Sequence, residues 1–441
     1  MSRSSSAPVS EATSNHRGNV AGCDAMSPTR SATIDDSTRR QKSSQSATRV
    51  WPWDRWLVRS LLRSAGNPPV VVTLWNGEQF RTSAQSPHAV ITLPDRATLW
   101  RMCRSPSLTF GDEYTAGRIH VEGDLVEFCR TIEQAWASLP AKPIVRRSRL
   151  NTVARSRDNV YHHYDLGNDF YRLWLDQELA YTCAYFRTPD VSLEQAQRDK
   201  FDLVCRKLRL APGQSVVEAG CGWGGLALHM ARNYGVRVTA YNISREQIAF
   251  ARQRAATEGL DRQVEFVEAD WRTIEGRFDA FVSVGMLEHV GPENYRELGR
   301  VIQRTLKSDG LGLIHTIGRN LSQPVDAWTE RRIFPGSFVP TLVEMMEIFE
   351  AGSFSVLDVE NLRLHYARTV EHWLDRFDRN VATIRDMFGE RFVRMWRLYL
   401  AASIATFEAG NMQLFQVVFS HSRNNTIPST REHLYQWESR L

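Results

Sequence analysis

A carboxylate two residues ahead of a run of glycines is the feature of this 441-residue chain with the most definite chemistry. Residues 215–225 read Ser-Val-Val-Glu-Ala-Gly-Cys-Gly-Trp-Gly-Gly, an apolar run that ends in Glu218 and passes into Gly220, Cys221, Gly222, Trp223, Gly224 and Gly225. A helical pattern follows over 226–231. This is a strand, a tight turn and a helix start. Glycine lets the backbone approach a ligand at φ > 0, and the opening helix offers free N–H groups. A flat polar ligand is expected on the turn; the alternative is a purely structural glycine turn.

A dinucleotide site would need a further carboxylate about 20 residues downstream to hold the ribose. Here the second strand, 236–241, runs instead into Asn242, Ile243 and Ser244, with Gln247 one turn later. The carboxylate is Glu218, where nucleoside methyltransferases of the doubly wound fold place theirs, so S-adenosylmethionine is expected in preference to NAD. Asp270, Trp271 and Arg272 follow the third strand, where a nucleoside site meets adenine. Asp270 would take the exocyclic amine and Trp271 the ring, unless the first is only a cap and the second only core.

Glu288 after the fourth strand and His315 at the end of the fifth make an acid–base or anion-binding pair. His289 is adjacent to Glu288, so the two side chains diverge and one of them faces the site. Cys183 lies among hydroxyl groups and invites a nucleophile reading, but no Ser/Cys–His–acid pattern of a hydrolase accompanies it.

These residues need a scaffold, and the alternation of patterns supplies one. Strands at 215–218, 236–241, 264–268, 278–284 and 311–316, with helices between them, imply a parallel sheet covered on both faces. Apolar runs at 354–359 and 413–419 complete seven strands. Ligands of such sheets sit at the carboxyl ends of the strands. The insertion 361–412 carries Trp373, Phe377, Phe388, Trp396 and Phe407, which line a substrate pocket or form an ordinary helical core. The aromatic-rich segment 160–186 is expected to fold over the cleft as a lid.

Upstream, 49–139 reads as a small α+β domain. Its first helix sets Trp53, Trp56, Leu57 and Leu61 on one face beside Arg55, Arg59 and Arg63, either a membrane-surface helix or one packed on its own domain. A hairpin over 70–82 turns at Asn76-Gly77, a type I′ signal; a strand at 89–93 and helices at 97–103 and 125–136 complete it. Residues 140–159 read as a basic linker and 1–48, rich in Ser, Thr and Arg, as a disordered tail. An organelle-targeting peptide is opposed by Glu11, Asp24, Asp35 and Asp36.

Hydrophobic residues at 42% suffice for a large core. No apolar run reaches the ~18 residues of a membrane span. The net charge of +5 is a mild bias towards anionic partners. Six cysteines without C-x-x-C spacing fit a reducing compartment and no zinc site. Without the apolar core of a secretory signal, a cytoplasmic location is expected.

Several motifs together resemble one family. Residues 163–170 (His-Tyr-Asp-Leu-Gly-Asn-Asp-Phe), 181–185 (Tyr-Thr-Cys-Ala-Tyr), 218–225, 283–292, 315–318 (His-Thr-Ile-Gly) and 413–419 look like cyclopropane-fatty-acyl-phospholipid synthases, from about Val160 onward. Residues 110–114 and 123–125 resemble, more weakly, the family's small lipid-associating domain. The resemblance implies a seven-stranded, Rossmann-like class I methyltransferase domain with a helical lid and insertion, from residue 160 to 441. It also implies transfer of the sulfonium methyl of S-adenosylmethionine to a cis double bond of a phospholipid acyl chain, followed by ring closure. A bound bicarbonate would be the base, caged by Cys183, Glu288, His315, Ile317 and Tyr366, the first and fourth through backbone groups.

By the same resemblance Tyr181, Thr182, Gly220, Gly222, Asn242, Ser244, Gln247 and Trp271 would hold S-adenosylmethionine, with Glu218, Cys221, Gly224, Asp270 and Arg272 in the same motifs. Asn242 stands where the family usually has Thr, and Ser403 where some members have Cys. The implied partner is unsaturated phospholipid at the inner membrane surface, not nucleic acid, and the small domain is compatible with a homodimer. A methyl- or methylene-branched product, a small-molecule N-methyltransferase and a lipid-binding protein without catalysis are the other readings.

Overall fold

The computed structural model describes residues 49–82, 87–140 and 166–435. The expected tail, the linker from 141 onward and the first residues of the aromatic segment lie outside the described residues. The chain from residue 49 begins with helix α1 (Pro52–Ser64), then β1 (Val70–Thr73), β2 (Gln79–Arg81), β3 (Ala89–Thr92), α2 (Arg96–Arg104), α3 (Pro106–Thr115), β4 (His120–Glu122) and α4 (Leu125–Ala137). The strands form a small sheet in the order β2-β1-β3-β4, with β1 antiparallel to β2 and parallel to β3.

Asp54 explains the placement of α1. It accepts from the Trp51 amide at 2.8 Å, which caps the helix, and its buried carboxylate is gripped by Arg96. The expected single apolar face of α1 is divided: Leu57, Val58 and Leu62 enter the core, while Trp53 and Trp56 stay 58% and 60% exposed. The hairpin turn also differs from expectation. Gly77 has φ +86° but Asn76 is not left-handed, and Leu74 pairs with Glu78 around a three-residue loop. This is a turn followed by a left-handed glycine, which suits a three-residue hairpin, rather than a type I′ turn, which needs φ > 0 at both centres.

The second sheet carries the site. Helices α5 (Asn168–Arg172) and α6 (Leu193–Lys207) lead into β5 (Ser215–Ala219), α7 (Gly225–Tyr234), β6 (Arg237–Asn242), α8 (Arg245–Thr257), β7 (Val264–Glu268), β8 (Phe278–Val284), α9 (Tyr295–Thr305) and β9 (Leu306–Gly318). Then come α10 (Ala327–Arg332), α11 (Leu342–Ala351), β10 (Phe354–Asn361), the inserted helices α12 (Arg363–Arg379), α13 (Val381–Phe388) and α14 (Glu390–Ala409), and β11 (Gln413–His421). All seven expected strands are present, in the order β10-β11-β9-β8-β5-β6-β7. Strands β5 to β9 are parallel, and β11 runs antiparallel to both neighbours.

Period-two alternation fills both faces of this doubly wound sheet. Val216 joins the core under α7 and α8, while its neighbour Val217 joins the core under α9 and α11. β5 lies between β6 and β8, where the chain reverses its direction of travel across the sheet. That is the switch point at which open sheets form a crevice.

The insertion is a helical layer whose aromatic residues are core. Trp373, Phe377, Trp396 and Phe407 are buried, and Phe388 packs on the same cluster. Phe170 meets Phe388, Phe392 and Trp396 edge-on, and Trp174 meets Trp373 edge-on at 5.6 Å. The described part of the expected lid is thus packed between the insertion and the glycine turn, where Trp223 donates to Asn168 at 2.7 Å. Helix α14 also carries the small sheet's domain: Arg130 of α4 pairs with Glu408, and Arg394 donates to the carbonyls of Tyr114 and Ile119. Among the described residues no helix is long and apolar enough to cross a membrane.

Gly299 sets how closely α9 and α11 approach, because a Cβ there would lie 2.2 Å from the Ile348 carbonyl oxygen. Gly299→Ala should therefore destabilise the fold by about 1–3 kcal/mol from overpacking. That exceeds the ~1 kcal/mol alanine gains in helix propensity. Denaturant unfolding checks it, and an unchanged or raised midpoint would refute the close approach.

Candidate active site

The glycine turn closes back on the sheet. The amides of Gly220 and Cys221 both donate to the Tyr241 carbonyl, at 2.9 and 3.1 Å, which folds the loop over the ends of β5 and β6. Gly220, Gly222 and Gly224 have φ of +85°, +53° and +84°. A Cβ on Gly220 would lie 2.8 Å from Met286, and one on Gly224 would lie 2.6 Å from the Phe266 ring. At Gly222 the space is open. Gly220 and Gly224 thus make the turn compact, and Gly222 presents backbone to the cleft.

That cleft encloses about 1060 Å³, part of it open to solvent. Tyr181, Thr182, Glu218, Gly220, Cys221 and Gly222 line one part of it. Asn242, Gln247, Asp270 and Trp271 line another. Gly224, Ser244 and Arg272 do not. Gly224 caps α7 in a left-handed conformation, and Ser244 caps α8 by accepting from the Gln247 amide. Arg272 stands behind the wall, its guanidinium holding both Asp270 oxygens at 3.0 Å and covering the Trp271 ring at 4.4 Å. Asp270 also caps the short turn Trp271–Thr273, so the cap and the cleft position coincide.

Glu218 is 2% exposed, and its Oε2 has no partner within the protein. Burial pushes its pKa up to about 8, with the Lys200 ammonium pulling the other way. An acceptor left unsatisfied at the mouth of a glycine turn fits the hydroxyls of a ribose. Across the cleft Asn242 donates to Gln247 at 2.8 Å and to the Gly222 carbonyl at 3.2 Å. The Asn242 amide thus ties the turn to α8.

Lys200 was missed by the sequence reading. It is 1% exposed on α6, lines the cleft and donates to Thr182 Oγ1 at 2.8 Å. Burial brings its pKa down to about 8 against the attraction of Asp176, Cys183 and Glu218. The available signal was a cation within the buried helical series Leu193, Ala196, Gln197, Lys200, Phe201, Val204.

Of the adjacent pair at the end of β8, His289 lines the cleft and Glu288 turns away from it. Burial drives His289 down to about 4, so it is neutral. Glu288 Oε1 accepts from the Ile317 amide at 2.6 Å, while Oε2 is buried without a partner. Burial raises the Glu288 pKa, opposed by that amide, by its own backbone amide and by the nearby Thr316 hydroxyl. His315, 1% exposed, lies opposite the cleft residue Val284 in the β8–β9 register. Its Nδ1 is 3.0 Å from Gln416, and its Nε2 has no partner.

Cys183 and Tyr366 meet at one carbonyl: Leu362 O accepts from the Tyr366 amide at 3.1 Å and from the Cys183 thiol at 3.9 Å. Burial pushes that thiol well above its ordinary pKa, which removes it as a nucleophile. None of Cys183, Glu288, His315, Ile317 and Tyr366 lines the cleft itself. Lys200, on the cleft wall, acts electrostatically on both His315 and Cys183.

Comparison with known proteins agrees with this geometry. The model of the mycolic acid cyclopropane synthetase family matches residues 151–417, and that of a domain of unknown function matches 57–141. A "probable fatty acid methyltransferase" of Pseudomonas putida is 36% identical over 384 residues, 83% of this chain and 96% of that protein. The cyclopropane-fatty-acyl-phospholipid synthase of Escherichia coli K12 is 42% identical over 270 residues, 61% of this chain and 69% of its own. A solved mycolic acid cyclopropane synthase, complexed with SAH and CTAB, superposes with a TM-score of 0.57 at 30% identity, covering 61% of this chain and 99% of that one. A sheet with its switch point at β5, a buried carboxylate beside the glycine turn, and these matches place the chain in the mycolic acid cyclopropane synthetase family of S-adenosylmethionine-dependent methyltransferases.

Proposed function

We propose that this enzyme acts on unsaturated phospholipid, joining the methyl carbon of S-adenosylmethionine to a cis double bond and closing a cyclopropane. The observation that carries the reading is the pair of buried, unpartnered polar atoms, Glu288 Oε2 and His315 Nε2, next to a cleft built for a nucleoside. An alkene is a weak nucleophile, so the sulfonium must be held against it with water excluded. The π electrons form the new C–C bond as the S–CH₃ bond breaks, leaving S-adenosylhomocysteine and a carbocation. The new methyl then gives up one proton, and its C–H electron pair closes the ring.

In this reading Glu218 takes the ribose hydroxyls, Asp270 and Trp271 meet the adenine, and Tyr181, Thr182, Asn242 and Gln247 hold the remainder. Glu288, His315, Cys183, Ile317 and Tyr366 would hold a bicarbonate, which supplies a base that accepts a proton without adding to carbon. The Ile317 amide is already engaged by Glu288, while Glu288 Oε2 and His315 Nε2 are buried side-chain atoms left open to such an anion. Burial favours the protonated form of Glu288, which would donate to the anion as well.

The substrate would come from a membrane surface. Trp53 and Trp56 project from α1, and Arg59 and Arg63 lie on the same helix; Arg55 is neutralised by Glu78. A second reading, a methyl- or methylene-branched product, is favoured by the name of the Pseudomonas putida relative, which this chain spans almost end to end.

Incubating the full chain with S-adenosylmethionine and liposomes of unsaturated phospholipid should give lipid one CH₂ heavier with upfield cyclopropane ring protons by NMR. Vinylidene or saturated methyl-branch signals would select the second reading, and unchanged lipid would remove both. Glu288→Leu, which removes the donor at Oε2, should lower turnover on the order of 10²-fold or more while S-adenosylmethionine affinity holds, and Glu288→Gln, which keeps an acceptor and a donor, should lose less; equal loss of turnover and affinity in Glu288→Leu would refute its assignment.

Binding of S-adenosylmethionine should also depend on pH. Glu218 must be charged to accept two hydroxyls and face a sulfonium, yet in the free protein it is half-neutral at about pH 8. Affinity should therefore fall roughly tenfold per unit as pH drops below 8 and level off above it. Glu218→Gln should bind weakly with a flat profile. Calorimetric titration of both proteins checks this, and a flat wild-type profile would refute the role of Glu218.

A further inference from the structure

We propose that Glu360, Lys207 and Gln416 form a hydrogen-bonded chain that locks His315 into one tautomer, with its proton on Nε2. His315 then serves the site as a fixed N–H donor and not as the base. The inference rests on the assignment of His315 to the site given above, but its test reads the ring directly.

Gln416 lies opposite His315 in the antiparallel register of β11 and β9, and both are fully buried. The Gln416 amide has two ends, and its surroundings distinguish them. Lys207 Nζ is 2.7 Å from the oxygen, and an ammonium has only donors. The nitrogen end therefore faces His315 Nδ1 at 3.0 Å, and an amide NH₂ can only donate. Nδ1 must accept, so the single proton of the neutral ring sits on Nε2.

Lys207 is itself fixed, 2% exposed with Glu360 Oε2 at 2.5 Å. Turning the amide over would set NH₂ against NH₃⁺ in a buried site and leave donors unpaired, each left without the water it had in the unfolded chain. A charged imidazolium is opposed as well: it would bring N–H against NH₂, and burial together with the ammoniums of Lys200 and Lys207 holds His315 well below its ordinary pKa.

The result is a buried N–H aimed where the protein provides no acceptor. With no lone pair at Nε2, His315 cannot take a proton there. The proton leaving the substrate must pass to another group, and an anion held against Nε2–H is the arrangement this donor suits. Gln416, Lys207 and Glu360 are positioning residues, acting through the ring.

The test is NMR on the full chain labelled with ¹⁵N-histidine, with the His315 signals assigned by their loss in His315→Gln. The wild type should show a protonated, pyrrole-type Nε2 and a pyridine-type Nδ1; the reverse would overturn the proposal without touching the lipid assay. Gln416→Glu should draw the proton to Nδ1, lowering turnover on the order of 10²–10⁴-fold at unchanged S-adenosylmethionine affinity. Lys207→Arg, which keeps a donor against the amide oxygen, should retain the wild-type tautomer, and Lys207→Met should lose it. An unmoved tautomer in both Gln416→Glu and Lys207→Met would also overturn the lock.

Discussion

A carboxylate buried at the end of a central strand without a protein hydrogen bond is the constraint around which this molecule is arranged. Removing such a group from water costs several kcal/mol unless something pairs with it. At Glu218 the compensation inside the protein is limited to the Lys200 ammonium, itself buried and pulled towards neutrality. The fold tolerates the arrangement because the surrounding layers are over-determined. β5 is flanked by parallel partners on both sides and by apolar cores on both faces. The residual strain is then available for a ligand to relieve, which is how a site comes to be organised before its ligand arrives.

The same logic recurs behind the cleft with opposite chemistry. Glu288 and His315 each satisfy one atom within the protein and leave the other bare. Both are pushed towards their neutral forms by burial, so the pair presents little net charge of its own. In the proposed reaction a neutral, donor-rich pocket beside the carbocation would be sensible: a fixed carboxylate there would compete for the cation, whereas a small, exchangeable anion would remove a proton and leave. Burial likewise holds the Cys183 thiol protonated, which in that reaction would keep it from adding to the cation.

Much of this was legible in the chain, and the limits are physical. The seven strands follow from short-range alternation, and the glycine turn from a motif in which every residue is local. The hairpin was located correctly from Asn76-Gly77, but its loop length depends on which residues pair across it, Leu74 with Glu78, and that is register, not composition. Trp373 and Trp396 were ambiguous because a helix facing a pocket and a helix facing a core share one period. Lys200 was hidden because a lysine on a helix usually reaches water, and only the packing of α6 under Thr182 shows that it does not. The Tyr366 assignment came from resemblance alone, as no spacing connects it to Cys183; the structure shows their common neighbour, the Leu362 carbonyl.

The last strand explains why the insertion stands where it does. β11 is the only antiparallel member of the sheet's interior, and it enters directly from α14, the helix to which the small domain is fastened through Arg130–Glu408. Gln416 hangs from that same strand three residues after Gln413, whose side chain accepts from Asn361 at the foot of the insertion and donates to Gly410 at the end of α14. A hydrogen bond at 3.0 Å is lost by a shift of less than an ångström. The orientation of His315 therefore depends on the seating of β11, which follows directly from α14, the helix that α4 of the small domain packs against. The strand that orients His315 and the small domain are thus connected through one helix, α14, which leads into β11 and holds Arg130 through Glu408.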